Sequence, residues 1–132
     1  MGMDVLGSAP RSEKGRTIYG NNAWWRDIAD YCRLVAPDVC SACKYWYSND
    51  GAGLDDAGAL ALAKILRARI SDHHVDDHAR ELAAKDKAAI KCKEIAELDG
   101  FVRSEAEASF AFLKKIAAFA DFLEDCGGFE IW

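Results

Sequence analysis

The chain has little proline and histidine, no long apolar run and no surplus of basic residues. Its 132 residues include two prolines and three histidines, and the net charge is −5 at pH 7. No apolar stretch reaches the about 18 residues that span a membrane, and the first residues do not have the pattern of a signal peptide. The sequence therefore predicts a cytoplasmic protein that does not associate with a membrane. Because a basic stripe is absent, direct binding to nucleic acid is disfavoured.

Motifs of common catalytic sites are also missing. There is no Gly-x-Ser-x-Gly elbow, no glycine-rich phosphate loop followed by lysine, and no His-Glu-x-x-His motif. The five cysteines are an odd number, which argues against a complete disulfide framework. We expect most of them to be small buried hydrophobic residues. We expect neither enzymatic activity nor a cofactor.

The clearest positive pattern is a long helix near the C-terminal end of the sequence. Ser104 and Glu107 have the spacing of a capping box, and Gly127 and Gly128 can adopt the left-handed conformation that ends a helix. Two adjacent apolar stripes predict burial on more than one side, and hence a central position. The stripes consist of Phe110, Leu113, Ala117 and Ala120, and of Phe112, Ile116, Phe119 and Leu123.

Three further helices are predicted upstream. Cap residues and breakers give their approximate bounds, which are Asn21 or Asn22 to Pro37, Asp55 to Ile70, and Asp76 to Ala96. One or two more helical turns fit within residues 38–47. The predicted fold is mainly α, with about four main helices around a central C-terminal helix, in a single domain over residues 1–132.

Short extended segments near the two ends of the chain predict a minor sheet. They cover residues 4–6, 17–19 and 129–132, and the last of them alternates apolar and polar residues. Residues 49–53 form a break that is rich in turn residues.

One alternative function is zinc binding. Cys40 and Cys43 have the spacing of half a zinc site or of a redox pair. His74 and His78 lie four residues apart, on one face of a helix, and could supply two more ligands. No strand–CxxC–helix pattern surrounds the cysteines, which disfavours the redox interpretation.

A third possibility, a small hydrolase, depends on the titratable residues 72–78. A histidine beside an aspartate can act as a general base. Helix capping offers another explanation, because Asp76 and Asp77 suit a helix N-terminus and His73 suits the end of the preceding helix.

Aromatic and acidic residues predict a surface for a protein partner. The consecutive Tyr45, Trp46 and Tyr47 cannot all face one core, so at least one should reach the surface, where Trp and Tyr are favoured contact residues. Alternatively, Trp24 and Trp46 anchor the core and the two tyrosines cover its rim. Residues 71–132 hold 14 acidic and 8 basic side chains, which would steer a partner with a basic surface. The predicted partner-binding residues are Tyr45, Trp46, Tyr47, Asn49, Asp50, Asp76 and Asp77.

Four short blocks of sequence occur together, at residues 1–5, 21–26, 49–54 and 126–131. This combination resembles a group of small uncharacterised proteins from bacteria and their phages, a group that carries no assigned activity. The resemblance implies an accessory protein of a mobile element. We therefore expect a non-catalytic, protein-binding regulatory module. An inhibitor of a host defence system, such as an anti-CRISPR protein, would suit the small size and the acidic charge.

Overall fold

The computed structural model describes residues 2–48, 51–82 and 105–132, with side chains at residues 4–18, 24–48, 51–82 and 110–132. This part of the chain is mostly helical and includes one small antiparallel sheet. None of its helices combines the length and the apolar content needed to cross a lipid bilayer.

The elements follow one another from a strand pair through the helices to a final strand. In chain order they are β1 (Gly2–Gly7), a short 3-10 helix (Glu13–Gly15), β2 (Thr17–Asn21), α1 (Asn22–Val35), α2 (Pro37–Cys40), β3 (Gly53–Asp55), α3 (Asp56–Ser71), α4 (described over residues 74–82), α5 (Glu105–Asp125) and β4 (Gly128–Ile131).

The sheet brings together the three segments that the sequence predicts to pair. Its strand order is β2-β1-β4-β3, and every neighbouring pair is antiparallel. Val5 lies opposite both Ile18 and Ile131. Val5 and Ile131 are buried in the core, and Ile18 is partly buried against it. The fourth strand, β3, was not predicted, because it lies between the turn-rich break at residues 49–53 and the helix that Asp55 caps. It forms because Leu54 pairs with Phe129 and both side chains are buried.

The predicted ends of α1 and α3 are confirmed. Ala36, before Pro37, has φ −138° and ψ 56° and leaves the helical conformation, as proline requires of its predecessor. The Asp55 carboxylate accepts a hydrogen bond from the backbone N–H of Gly58 at 2.7 Å and caps α3. Four of the five cysteines fall within the described residues, and all four are buried, as expected.

Helix α4 begins slightly earlier than the sequence predicts. His73 has a positive φ of 67° between α3 and α4, and the Asp72 carboxylate accepts a hydrogen bond from the backbone N–H of His74 at 3.0 Å. The Asp72 side chain thus caps the first backbone N–H of α4, and the helix starts two residues before Asp76. The predicted continuation to Ala96 lies outside the described residues.

Helix α5 ends as predicted, because Gly127 and Gly128 have φ values of 66° and 98°. The capping box of Ser104 and Glu107 lies outside the described side chains. The stripe of Phe112, Ile116, Phe119 and Leu123 is fully buried, and α5 packs along α3.

The expectation for Phe110 is wrong, because its side chain is 58% exposed. At 3.6 residues per turn, the buried positions of α5 span an arc of about 160°, and Phe110 lies on the far side of that arc. Leu113 is half-buried at the margin. The Phe110 ring instead lies 4.7 Å from the Lys114 ammonium group.

An aromatic cluster joins the helices to the sheet. The Trp25 ring stacks on Trp46 with centroids 5.9 Å apart and meets the edge of Phe119 at 5.5 Å. Phe119 in turn contacts Phe129 of β4. Trp25 is thus the core tryptophan of α1, whereas Trp24, which the alternative interpretation places in the core, is only half-buried.

Two phenylalanines of α5 provide a matched test of this packing. Phe119→Ala should lower the free energy of unfolding by about 3–5 kcal/mol, because it leaves a cavity among aromatic rings. Phe110→Ala should lower it by less than about 0.5 kcal/mol, because the side chain is exposed. Urea unfolding followed by circular dichroism measures both values. Equal losses in the two variants would contradict the orientation of α5.

Candidate functional site

An open groove of about 630 Å³ lies between the C-terminal half of α1, helix α2 and residues 41–48. It forms because Pro37 separates α1 from α2 and the chain then turns back along α1. Its lining combines apolar and aromatic side chains with two cations. The lining includes Arg33, Leu34, Lys44, Tyr45, Trp46 and Tyr47.

Trp46 supplies the fixed floor of the groove. Its Nε1 donates a hydrogen bond to the Cys40 carbonyl at 3.1 Å, and its own carbonyl accepts one from Trp25 Nε1 at 2.5 Å. Only 3% of the residue is exposed, so Trp46 belongs to the core and contributes to the groove as its buried floor. The alternative interpretation, in which Trp46 anchors the core between two exposed tyrosines, describes this segment correctly.

Tyr47 is exposed but held in place. Its hydroxyl donates a hydrogen bond to the Asp30 carboxylate and accepts one from Arg33 Nη1 at 3.2 Å. The Arg33 guanidinium also lies 5.5 Å from the centre of the Tyr47 ring. Partial burial and the hydrogen bond to Asp30 raise the pKa of Tyr47, so the phenol is neutral at pH 7. The hydroxyl end is thereby fixed, and the ring remains open to contact.

The groove gathers exposed apolar surface. Leu34 is 59% exposed, Tyr45 is 57% exposed and Tyr47 is 43% exposed. These are three of the seven large hydrophobic residues that are exposed in the described part of the chain. Contiguous exposed apolar groups with a polar rim are typical of interaction sites.

The charged rim of the groove is mainly basic. Asp30 is engaged by the Tyr47 hydroxyl, and Arg33 lies against the same tyrosine. Lys44 is exposed and makes no ion pair within the part of the chain that the structure describes. The net charge of this rim is therefore positive, whereas the net charge of the whole chain is negative.

The predicted acidic residues lie outside the groove lining. Asp77 is exposed on α4, whereas Asp76 is more buried, with its Oδ2 atom 3.2 Å from His73 Nδ1. Helix α4 reaches α1 through His74, whose Nδ1 lies 2.8 Å from the Tyr31 hydroxyl. Tyr47 contacts α1 at Asp30, so the groove and α4 approach neighbouring positions of that helix. Asn49 and Asp50 lie outside the described residues.

The structure does not bring the four predicted zinc ligands together. Cys40 and Cys43 line the groove, whereas the His78 ring packs 4.9 Å from Tyr31 and 5.5 Å from Phe112. Among the described residues, no three or more His, Cys, Asp or Glu side chains are grouped so that they could hold a metal ion. The spacing within each pair suggested a single zinc site. In the folded chain the cysteine pair and the histidine pair are not grouped in one place.

The titratable cluster at residues 72–78 makes local helix-terminal interactions. Asp72 caps α4 and pairs with Arg69 at 3.0 Å, and His73 pairs with Asp76. Burial raises the pKa of Tyr31, so its phenol stays neutral beside His74. These contacts agree with the capping interpretation of the cluster.

Sequence reasoning missed Arg33, Leu34 and Lys44 as groove residues. Leu34 carried a usable signal, because it lies outside the apolar positions 24, 28, 31 and 35 of α1. A large aliphatic side chain on the polar side of an amphipathic helix is a candidate contact residue.

The buried thiols predict a loss of stability in alkaline solution. Burial raises the pKa of Cys40 from its ordinary value of 9.0 to about 11. Between these values the folded chain binds more protons than the unfolded one, so the Cys40 contribution to stability falls as pH rises through this range. Urea unfolding of the wild type and of Cys40→Ala at pH 7 and at about pH 10.5 should show the smaller decline in the variant. Parallel declines would contradict the prediction.

No protein-family model, no curated protein and no solved structure matches the chain.

Proposed function

We propose that this protein is a non-catalytic, protein-binding regulatory module that contacts its partner through the groove beside α1. The observation that carries the proposal is the convergence of Leu34, Tyr45 and Tyr47 on one groove, each with much of its side chain exposed. Burying such aromatic and aliphatic surface against a partner supplies binding energy, and tyrosine is enriched among the residues that dominate interfaces.

The rigidity of the groove favours binding. The Trp46 ring is fixed by stacking and by one hydrogen bond from its Nε1, its carbonyl accepts a second from Trp25, and Tyr47 is held by Asp30 and Arg33. A partner would therefore meet side chains that are already ordered, which reduces the conformational entropy lost on association. The proposed arrangement of the helices around α5 would give the groove a stable support.

We propose that the module acts in the cytoplasm and regulates its partner by covering part of the partner's surface. Inhibition of a host defence system by a phage protein is one such role, and it fits the resemblance of the four sequence blocks. Exposed Asp77 on α4 is proposed to steer a basic region of the same partner.

The groove predicts which apolar substitution weakens binding. Leu34→Glu should raise the dissociation constant of the partner complex by at least about tenfold, because it places a charge on the contact surface. Leu60→Glu is the matched control, since Leu60 is 40% exposed on α3 and does not line the groove. The partner is first identified by cross-linking in the native host, and both variants are then compared by surface plasmon resonance. Equal affinity of the two variants would contradict the proposed function.

The exposed carboxylate of Asp77 on α4 predicts an effect on the association rate. Asp77→Lys should slow association most at low ionic strength, because exposed charges steer encounter and salt screens them over about 10 Å at 0.1 M. The dissociation rate should change little. Association rates that do not depend on salt in the wild type would exclude steering by this residue.

A further inference from the structure

We infer that the groove receives a short acidic segment in which one large apolar side chain is flanked by carboxylates. This inference rests on the proposed function and names the chemistry of the partner at that site. It concerns only the groove and is compatible with a basic region of the partner facing α4.

The shape of the groove suits an inserted side chain. Its volume of about 630 Å³ lies within the range of about 300–1,000 Å³ that is typical of sites for small ligands. Trp46, Cys40 and Cys43 are buried beneath it, and burial raises the pKa of both thiols, so this floor carries no charge at pH 7. A large apolar side chain could rest on this floor between Leu34 and Tyr45.

The charges around the groove select the sign of the flanking residues. Lys44 is exposed and makes no ion pair among the described residues. Arg33 donates one hydrogen bond to Tyr47, which leaves further N–H donors of its guanidinium for a carboxylate. Asp30, the acid in the lining, accepts a hydrogen bond from Tyr47 but keeps its negative charge, so the two cations and this one acid give the lining a net charge of +1. Carboxylates beside the inserted side chain would therefore be favoured over cations.

The remainder of the protein makes this selection stronger. The chain has a net charge of −5, so its overall field repels an acidic segment, and local cations are needed to attract one. The groove supplies such cations beside exposed apolar surface. Repulsion elsewhere contributes to specificity as much as attraction at the site does.

Short synthetic peptides with a common apolar centre test the inference. One peptide has glutamates on both sides of a central leucine, a second has glutamines and a third has lysines. Binding of each labelled peptide to the wild-type protein is measured by fluorescence anisotropy at low and high salt. We expect the acidic peptide to bind about tenfold more tightly than the neutral one, and this advantage should shrink as salt rises.

Two charge reversals locate the effect. Lys44→Glu should remove the preference for the acidic peptide, whereas Lys64→Glu, on the exposed face of α3, should preserve it. Both variants change the net charge equally, so the comparison separates the groove from the overall field. Tighter binding of the basic peptide, no binding of any peptide, or equal behaviour of the two variants would overturn the inference.

The outcomes also distinguish this inference from the proposed function. If no peptide binds but capture of the native partner depends on Leu34, the inference fails and the proposed function stands. If the wild type self-associates through Leu34, as shown by sedimentation of Leu34→Glu, the occupant is a second copy and the inference fails. If Leu34→Glu leaves partner binding intact, the proposed function itself fails.

Discussion

The contact between Trp25 and Trp46 is the interaction on which the groove depends. It joins α1 to residues 41–48 through ring stacking and through the hydrogen bond from Trp25 Nε1 to the Trp46 carbonyl. The same two rings reach Phe119 of α5 and Phe129 of β4, so they also connect the helices with the sheet. A loop that follows a four-residue helix would otherwise have few contacts to fix it. Here the aromatic core itself forms the floor of the candidate site.

Burial of Trp46 also explains why its neighbours are exposed. Three consecutive side chains cannot point in one direction, so a tryptophan fixed in the core sends Tyr45 and Tyr47 outward. The hydrogen bonds of Tyr47 with Asp30 and Arg33 then hold one of the two rings along α1. Stability and the proposed binding surface therefore come from the same short segment. Substitutions of Trp46 would damage both, whereas substitutions of Leu34 can separate them.

Local signals in the sequence were sufficient for several helix ends but not for every exposed face. Asp55 acts through its side chain, Pro37 through its restriction of Ala36 and the final glycine pair through its backbone, and all three act within a few residues, so these ends of α1, α3 and α5 could be predicted. Strand β3 could not, because three residues carry no periodicity and their strand conformation depends on pairing with β4. Phe110 was wrongly predicted to be buried. The two apolar stripes of α5 do not show how much of the helix surface the neighbouring elements cover.

The candidate site was predictable only in its aromatic part. The triplet of aromatic residues indicated a surface, but the choice of the buried residue depends on Trp25 and on the Cys40 carbonyl, which lie elsewhere in the sequence. The predicted zinc ligands failed for the same reason, since spacing within each pair says nothing of the distance between the pairs. The charge of the groove shows most clearly what the sequence alone could not predict. The net charge of −5 favours a basic partner overall, yet the two cations of the groove lining outnumber its one acid, so the preference proposed for the groove is opposite to the one expected from the whole chain.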